Sequence, residues 1–187
     1  MRVWRWGAAI VVGAGVAALG YLGVATGVIT VDAGIGRRVR KLNVKPTEIR
    51  ASKEVVFEVL AEPYLGRQTR ATAEKITVLE RGSDMVLAAH RTRLGAGLVA
   101  VTVETVRFAR PDRVDFRLVR GPVPHVVEQF LLGEWEGGCV LEYVGELGAD
   151  GGAVGARWGE LVARRWESVV ADTVAAVKSE AERRARR

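Results

Sequence analysis

The sequence predicts an α+β protein: an antiparallel sheet packed against a long C-terminal helix and preceded by one transmembrane helix. Three stretches of the 187-residue chain lead to this prediction. Residues 7–31 contain no charged side chain, residues 73–147 alternate polar and apolar residues between turn signals, and the residues after 154 repeat with a helical period. One face of the sheet must be buried, and the terminal helix carries an apolar stripe long enough to cover it.

The apolar segment of residues 7–31 predicts a membrane anchor. Its 25 uncharged residues exceed the roughly 20 that a helix needs to cross a bilayer. Trp4 and Trp6 precede it, where an interfacial aromatic belt is expected. A cleaved signal peptide with a site near residues 31–33 is an alternative, but the apolar run is longer than the hydrophobic region of such peptides. An uncleaved anchor is therefore preferred.

A dinucleotide-binding fingerprint is a second alternative for the same segment. Gly13, Gly15 and Ala18 have the spacing of that fingerprint, and Asp32 follows at about the distance of its acidic residue. The helix that would follow offers almost no polar face, and no further strand–helix–strand units complete a parallel sheet. The membrane interpretation explains the segment better.

The distribution of charge agrees with a membrane anchor and argues against nucleic-acid binding. The net charge of +6 resides entirely in residues 1–45, and the rest of the chain carries equal numbers of acidic and basic residues. The basic residues predicted to flank the membrane are Arg2, Arg5, Arg37, Arg38, Arg40 and Lys41. More of them follow the segment than precede it, which predicts a single-pass membrane protein with its C-terminal domain in the cytoplasm. The chain thus divides into a transmembrane helix with its basic flank (1–31), a juxtamembrane linker (32–46) and one folded domain (47–187).

The domain is predicted to begin with a strand and a helix. Residues 47–52 read as a short strand, and Ser52 is a suitable N-cap for an amphipathic helix over residues 53–62, which Pro63 ends. Strands then follow in close succession, separated by residues typical of turns. They are predicted over residues 73–80, 85–93, 97–109, 113–119, 125–135 and 139–147.

A helix from about Val154 to Arg187 completes the domain. Its apolar stripe is predicted to consist of Trp158, Val162, Trp166, Val169, Thr173 and Val177. The basic residues 183–187 complement the helix dipole and are expected to be solvated, with contact to anionic lipid headgroups as the alternative.

The titratable residues indicate neither a metal site nor a catalytic centre. The chain has one cysteine, Cys139, and two histidines, His90 and His125, that are far apart in sequence. His125 and Glu128 are three residues apart in a predicted strand, so their side chains point to opposite faces and a joint acid–base role is disfavoured. Structural or surface roles are expected for all four residues, and no cofactor is predicted.

The order of elements and four stretches of sequence carry a resemblance to a known family. These stretches are TEIRASKEVVFEVLAEP, VETVRFARPDRVDFRLV, GPVPHVVEQFLLGEWEGGCVLEYVGEL and the terminal helix that opens at Trp158. From Thr47 to the end of that helix, the chain resembles the SRPBCC superfamily of START-like and polyketide cyclase/dehydrase-type helix-grip domains. The resemblance implies a sheet that wraps around the last helix, with an apolar cavity between them that captures a lipid or other hydrophobic small molecule.

The pocket that this resemblance implies would be lined from the sheet and from the last helix. The candidates on the sheet are Val99, Val101, Phe116, Leu118, Phe130, Leu132, Leu141 and Tyr143, and those on the helix are Trp158, Val162, Trp166 and Val169. Plain core packing is the alternative for each of them.

The function expected from these features is that of a membrane-anchored, non-enzymatic binding or carrier protein. Its expected partners are a lipid or other apolar small molecule and the membrane, and not nucleic acid. A polyketide cyclase or dehydratase-type enzyme is an alternative, disfavoured because no convergent set of titratable residues is evident on one predicted face. A membrane-held interaction module with a filled core is a third possibility.

Overall fold

The computed structural model of the protein describes residues 18–66 and 68–187. Residues 18–25 are helical, and eight strands and three further helices follow in these ranges. The strands are β1 (Arg38–Leu42), β2 (Thr47–Ile49), β3 (Ile76–Arg81), β4 (Met85–Gly95), β5 (Leu98–Ala109), β6 (Arg113–Arg120), β7 (His125–Trp135) and β8 (Gly138–Ala149). The helices are α1 (Lys53–Leu65), α2 (Arg70–Lys75) and α3 (Gly152–Ala185).

All eight strands form one antiparallel sheet in the order β1–β8–β7–β6–β5–β4–β3, with β2 also paired to β8. The predicted combination of an antiparallel sheet with a long C-terminal helix is confirmed. The 34-residue helix α3 approaches the sheet most closely at β8, β1 and β2 and also packs against α1. Small residues permit this approach, since a Cβ on Gly159 would lie 3.1 Å from the Cβ of Ala149. The half of the sheet formed by β4, β5 and β6 stands further from α3.

The face of α3 that is buried differs from the predicted stripe. The structure buries Gly155, Gly159, Ala163, Val170, Val174, Val177 and Ala181. Trp158, Val162, Trp166 and Val169 lie half-buried at the flank of this row, and Thr173 is exposed. The prediction was right for Val177. It was wrong for the other members of the stripe because it followed the larger side chains, whereas the closest contact with the sheet requires the smallest ones.

The sequence pattern of β5 predicted the wrong set of side chains, Val99 and Val101, to face inward. Val99 and Val101 pair with Arg93 and Arg91 on the outer face, and Glu104 lies on the inner face opposite Ala88. Valines of the outer face alternate here with Thr102 and Glu104, so the pattern suggested that the valines were the buried set. The polar side chains are inside because they bond to one another.

The N-terminal stretch differs from the prediction in its described part. Residues 1–17 of the predicted transmembrane segment lie outside the described residues. The helix over residues 18–25 ends in a turn, and residues 30–37 have no regular secondary structure before β1 begins at Arg38. Within 18–66 and 68–187, no helix combines the length and apolar character that crossing a membrane requires. The predicted juxtamembrane linker contains β1, which pairs with β8 from Arg38 opposite Ala149 to Leu42 opposite Gly145.

Both long helices of the domain are fixed at their ends by polar contacts. The side chain of Ser52 accepts a hydrogen bond from the Val55 N–H, as its predicted N-cap role requires. At the C-terminal end of α3, Arg183 and Arg184 pair with Glu180, and Arg184 also pairs with Glu62 of α1. The basic end of the chain is thus partly engaged in ion pairs that hold α3 to α1.

Candidate functional site

Two glutamates project from the inner face of the sheet into the space beside α3. Glu104 on β5 is 6% exposed and Glu128 on β7 is 4% exposed. Burial of a carboxyl group is costly unless hydrogen bonds or opposite charges compensate it. Both side chains have such partners, and together they define a buried polar cluster formed by Tyr64, His90, Thr102, Glu104, Glu128, Tyr143 and Trp166.

Glu104 forms an ion pair with His90, which extends from the adjacent strand β4. The Nδ1 atom of His90 lies 3.3 Å from Glu104 Oε2, although the two atoms are not aligned for a hydrogen bond. Its Nε2 atom lies 2.9 Å from the Tyr64 hydroxyl, and the Thr102 hydroxyl donates to Glu104 Oε1 at 2.6 Å. Burial lowers the pKa of His90, but the Glu104 carboxylate outweighs it and the pKa is raised. Burial likewise raises the pKa of Glu104, but His90 and Thr102 outweigh it and the pKa is lowered, so each partner favours the charged form of the other.

The pKa of Glu128 is shifted in the opposite direction from that of Glu104, although both carboxyl groups are buried. The Oε1 atom of Glu128 accepts hydrogen bonds from the Tyr143 hydroxyl and, at 2.8 Å, from the indole N–H of Trp166. Burial and the negative charge of Glu104 nevertheless raise the pKa of Glu128 to about 7. Two carboxyl groups of one site therefore differ in protonation near neutral pH, an arrangement found in sites that perform acid–base chemistry.

The contact between Tyr143 and Glu128 depends on a glycine. Gly145 lies opposite Glu128 in the register of β7 and β8, two residues after Tyr143 on the same face. A Cβ on Gly145 would lie 2.6 Å from the Tyr143 hydroxyl oxygen and 2.8 Å from the ring carbon that bears it. Tyr143 can therefore lie along β8 and reach Glu128 only because residue 145 has no side chain.

Replacing Gly145 with alanine is expected to displace Tyr143 and lower the stability of the fold by about 1–3 kcal/mol, as overpacking of a core does. Gly133→Ala is the matched control in β7, because a Cβ there has ordinary contacts, the nearest at 3.9 Å. Urea unfolding of the two variants measures the difference. Equal stability of Gly145→Ala and Gly133→Ala would show that Tyr143 does not need the space.

Aromatic rings extend from the polar cluster along the inner face of the sheet. The rings of Tyr64, Phe116, Phe130 and Tyr143 contact one another edge to face, with successive centroids 5.8, 5.5 and 5.3 Å apart. Phe116 remains 9% exposed and Leu118 8%, whereas Phe57 in the core beside α1 is fully buried. Phe116 and Leu118 thus keep a small accessible area next to the cluster. The region between β4–β7 and the first turns of α3, where the cluster lies, is called the crevice.

The structure places the predicted pocket residues in three groups. Phe116, Leu118, Phe130, Leu132, Leu141 and Tyr143 are buried on the inner face of the sheet. Trp158, Val162, Trp166 and Val169 are half-buried on the flank of α3. Val99 and Val101 lie on the outer face, which removes them from any pocket between sheet and helix.

The sequence did not predict the polar cluster as a unit. Tyr143 and Trp166 were predicted as apolar lining, and structural or surface roles were expected for His90 and Glu128. His125 and Glu128 do point to opposite faces, since His125 bonds to Glu146 on the outer face at 2.9 Å. Glu128, however, is a member of a convergent set that His90 and Glu104 complete. The signal that would have found it is the alternation of Thr102 and Glu104 with valines, read in the other phase.

Other features of the described residues are unrelated to the crevice. Cys139 is buried in β8. In the described part of the chain, no group of three or more His, Cys, Asp or Glu side chains is placed so that it could hold a metal ion. One open depression of about 350 Å³ lies over β1, β7 and β8. Another, of about 440 Å³, lies beside the β7–β8 hairpin. Neither depression lies between the sheet and α3.

Comparison with known proteins identifies the fold. No family model and no curated protein matches the chain. Among solved structures, the Zhui aromatase/cyclase from Streptomyces sp. R1128 superimposes with a TM-score of 0.59 at 19% identity, over 79% of this chain and 95% of that one. The di-domain aromatase/cyclase StfQ of the steffimycin biosynthetic pathway gives 0.58 at 15% identity over 80% of this chain, which spans 52% of that protein. The KanY protein gives 0.51 at 13% identity, over 82% of this chain and all of that one. The chain therefore has an SRPBCC-like helix-grip fold, as the resemblance implied.

Proposed function

We propose that the domain binds a lipid or other hydrophobic small molecule in the crevice, with a polar group of that molecule placed at Glu128. The observation that carries this proposal is the buried polar cluster, which lies among apolar side chains on the inner face of the sheet and is reached from α3 by Trp166. A fold stabilised only by packing gains little from burying two carboxyl groups. A binding site gains orientation and selectivity from them.

The chemistry of the cluster restricts the ligand. Protonated Glu128 is a hydrogen-bond donor, and the second oxygen of its carboxyl group is not used by Tyr143 or Trp166. A carbonyl or hydroxyl group on an otherwise apolar molecule satisfies this group. Phe116, Leu118 and Phe130 would contact the apolar body.

Membrane attachment through residues 7–31 belongs to the same proposal. The apolar sequence of the segment and the basic residues on both sides of it support attachment, with the domain on the cytoplasmic side. Leu19, Val28 and Val31 are 71%, 68% and 53% exposed, so the described end of this stretch presents apolar side chains outward. Attachment raises the local concentration of a membrane-borne ligand around the domain.

Acid–base catalysis of the cyclase or dehydratase type is the second candidate function. The specific observation in its favour is the pair of carboxyl groups with different protonation, which removes the earlier objection that no convergent titratable set exists. In this case ionised Glu128 would accept a proton from carbon next to a ligand carbonyl, and the same residue would return it to an oxygen leaving as water. The aromatase/cyclases named above share the fold, and this candidate would share their class of reaction.

Native mass spectrometry of the full chain released from detergent tests the proposal. We expect an apolar mass bound to the wild type and to Val119→Trp, whose side chain is on the outer face and 58% exposed. Leu118→Trp, one residue earlier and facing inward, should fill the crevice and lose the bound mass. Glu128→Leu, which removes the hydrogen-bond donor, provides a second variant should Leu118→Trp fail to fold, and it should lower the bound fraction.

The outcomes of this measurement separate the candidates. A single bound species supports a carrier. Two bound species related by the loss of one water, in proportions that change in Glu128→Gln, support the enzyme. A wild type that retains no apolar mass would contradict both and favour an interaction module with a filled core.

A further inference from the structure

Residues 18–37, here called the strap, are fastened to the domain at one end of the sheet. The Thr26 carbonyl accepts a hydrogen bond from the Val101 N–H at 2.8 Å. The Thr30 hydroxyl donates to the Gly121 carbonyl at 2.7 Å and accepts from the Gly121 N–H at 2.9 Å. Tyr21 lies edge-on against Trp158, with ring centroids 5.8 Å apart. The strap thus contacts β5, the β6–β7 turn and α3 in succession.

The C-terminal part of the strap is fixed to the start of α3. Asp150, whose side chain is only 2% exposed, accepts hydrogen bonds from the Gly34 N–H at 2.7 Å and from Arg37 Nε at 2.6 Å. The N–H groups of Gly151 and Gly152 donate to the carbonyls of Ile35 and Gly36. Arg37 holds the pKa of Asp150 well below its usual range, at about 2, so this contact persists across the physiological range. The strap is therefore part of the folded domain.

The strap crosses one end of the crevice, where the first turns of α3 meet the β6–β7 turn. Trp158, Val162 and Trp166 lie in the first turns of α3 and are half-buried, whereas the later turns bury Val170, Val174 and Val177. The indole N–H of Trp158 donates to the Pro122 carbonyl at 2.8 Å, which spans the gap between α3 and the β6–β7 turn. The strap passes this same gap, and a Cβ on Gly27 would lie 2.3 Å from the Val101 carbonyl oxygen. It therefore lies close against the rim of the crevice.

The outward side of the strap is apolar and is bordered by basic residues. Leu19, Val28, Val31 and Ile35 are between 53% and 74% exposed. In the sequence, Leu19, Val28 and Val31 belong to the uncharged stretch of residues 7–31, and Ile35 follows it after Asp32. Arg2 and Arg5 precede this stretch, and Arg38 and Lys41 follow it. Exposed apolar side chains next to basic ones match the chemistry of a bilayer surface that contains anionic lipids.

We infer that the strap holds this end of the crevice against an anionic lipid bilayer, so that a ligand passes between bilayer and crevice without crossing water. This inference rests on the proposed function for the ligand, but the orientation of the domain is a separate geometric claim. Residues 18–31 of the uncharged stretch are themselves part of the strap, which is bound to the domain, so no free linker separates that stretch from the domain. The domain is therefore held in one orientation, with the β4–β5 and β6–β7 turns toward the bilayer and the β7–β8 hairpin away from it.

Depth-dependent quenching in vesicles tests the orientation. The full chain carrying Cys139→Ala receives one cysteine, as Val28→Cys in the strap, Ala96→Cys in the β4–β5 turn or Glu136→Cys in the β7–β8 hairpin. Each variant is labelled with a nitrobenzoxadiazole dye and placed in vesicles of phosphatidylcholine and phosphatidylglycerol in equal parts. Lipids with a nitroxide near the headgroup should quench the dye several times more strongly at positions 28 and 96 than at position 136.

Each other outcome overturns the orientation. Equal quenching at positions 96 and 136 would show that the domain has no fixed orientation, and the absence of quenching at 28 would show that the strap does not meet lipid. A dye at position 28 that is shielded from solvent but not quenched by the nitroxide lipid would identify a second copy of the chain as the occupant.

Two further variants test whether the strap contacts fix the orientation. Asp150→Asn, which weakens these contacts, should reduce the difference in quenching between positions 96 and 136. Asp172→Asn on the exposed side of α3 should leave that difference unchanged. Strong quenching at positions 28 and 96, together with no bound apolar mass in mass spectrometry, would support the orientation and contradict only the proposed binding of a ligand.

Discussion

Phe57→Ala is expected to lower the free energy of unfolding by about 3–5 kcal/mol, the loss typical of a large aromatic side chain in a filled core. Phe57 is fully buried between α1 and the sheet, and the guanidinium group of Arg110 lies 5.0 Å from its ring centroid. The surrounding groups cannot collapse into the space, so both the lost contacts and the remaining cavity contribute to the effect.

Phe130→Ala is expected to cost clearly less, about 2 kcal/mol, because a residue that borders a crevice already lacks neighbours on one side. Phe130 contacts Phe116 and Tyr143 and is 5% exposed. Chemical unfolding of both variants in the same detergent gives the comparison. Equal losses for Phe57→Ala and Phe130→Ala would mean that the interior is a filled core, and the ligand-binding proposal would then lose its structural basis.

The architecture of the domain could be predicted because it follows from periodicity. Alternating residues bounded by turns at 81–84 and 136–138 gave the antiparallel strands, and the helical repeat beyond Gly152 gave α3. These signals are local, and each is repeated over many residues. Errors at a few positions therefore do not change the outcome.

The candidate site could not be predicted in the same way because it depends on which face of each strand is buried. β5 carries valines on its outer face and Thr102 and Glu104 on its inner face, so hydrophobicity alone selects the wrong side. His90, Glu104 and Glu128 are brought together only by the register of β4 to β7. The buried face of α3 was missed for a related reason, since close packing there selects Gly155, Gly159 and Ala163 over the tryptophans.

The raised pKa of Glu128 is expected to make the free energy of unfolding depend strongly on pH. The pKa of this carboxyl group is raised from 4.5 to about 7 in the folded protein, by burial and then by the charge of Glu104. Below pH 4.5 the folded and unfolded states both hold the proton, so the group does not affect the equilibrium. Between pH 4.5 and 7 the unfolded state releases the proton and the folded state keeps it, so the stability falls as the pH rises. Above pH 7 both states are ionised and the loss is constant.

Glu128→Gln is therefore expected to be as stable as the wild type near pH 4.5 and more stable by about 3 kcal/mol above pH 7. Glutamine keeps an oxygen that can accept from Tyr143 and Trp166, and it resembles the protonated acid in shape and charge. Urea unfolding of both proteins at intervals between pH 4.5 and 8 measures the difference, and Glu142→Gln on the exposed face of β8 controls for the loss of one negative charge from the sheet. His90, Glu104 and Tyr143 are present in both proteins, so their own titration largely cancels in the comparison. A difference between wild type and Glu128→Gln that stays constant over this range would mean that Glu128 is ionised in the folded protein at all these pH values. The cluster would then be a structural network of fixed charge, and Glu128 would have no proton to donate to a ligand, as the binding proposal requires.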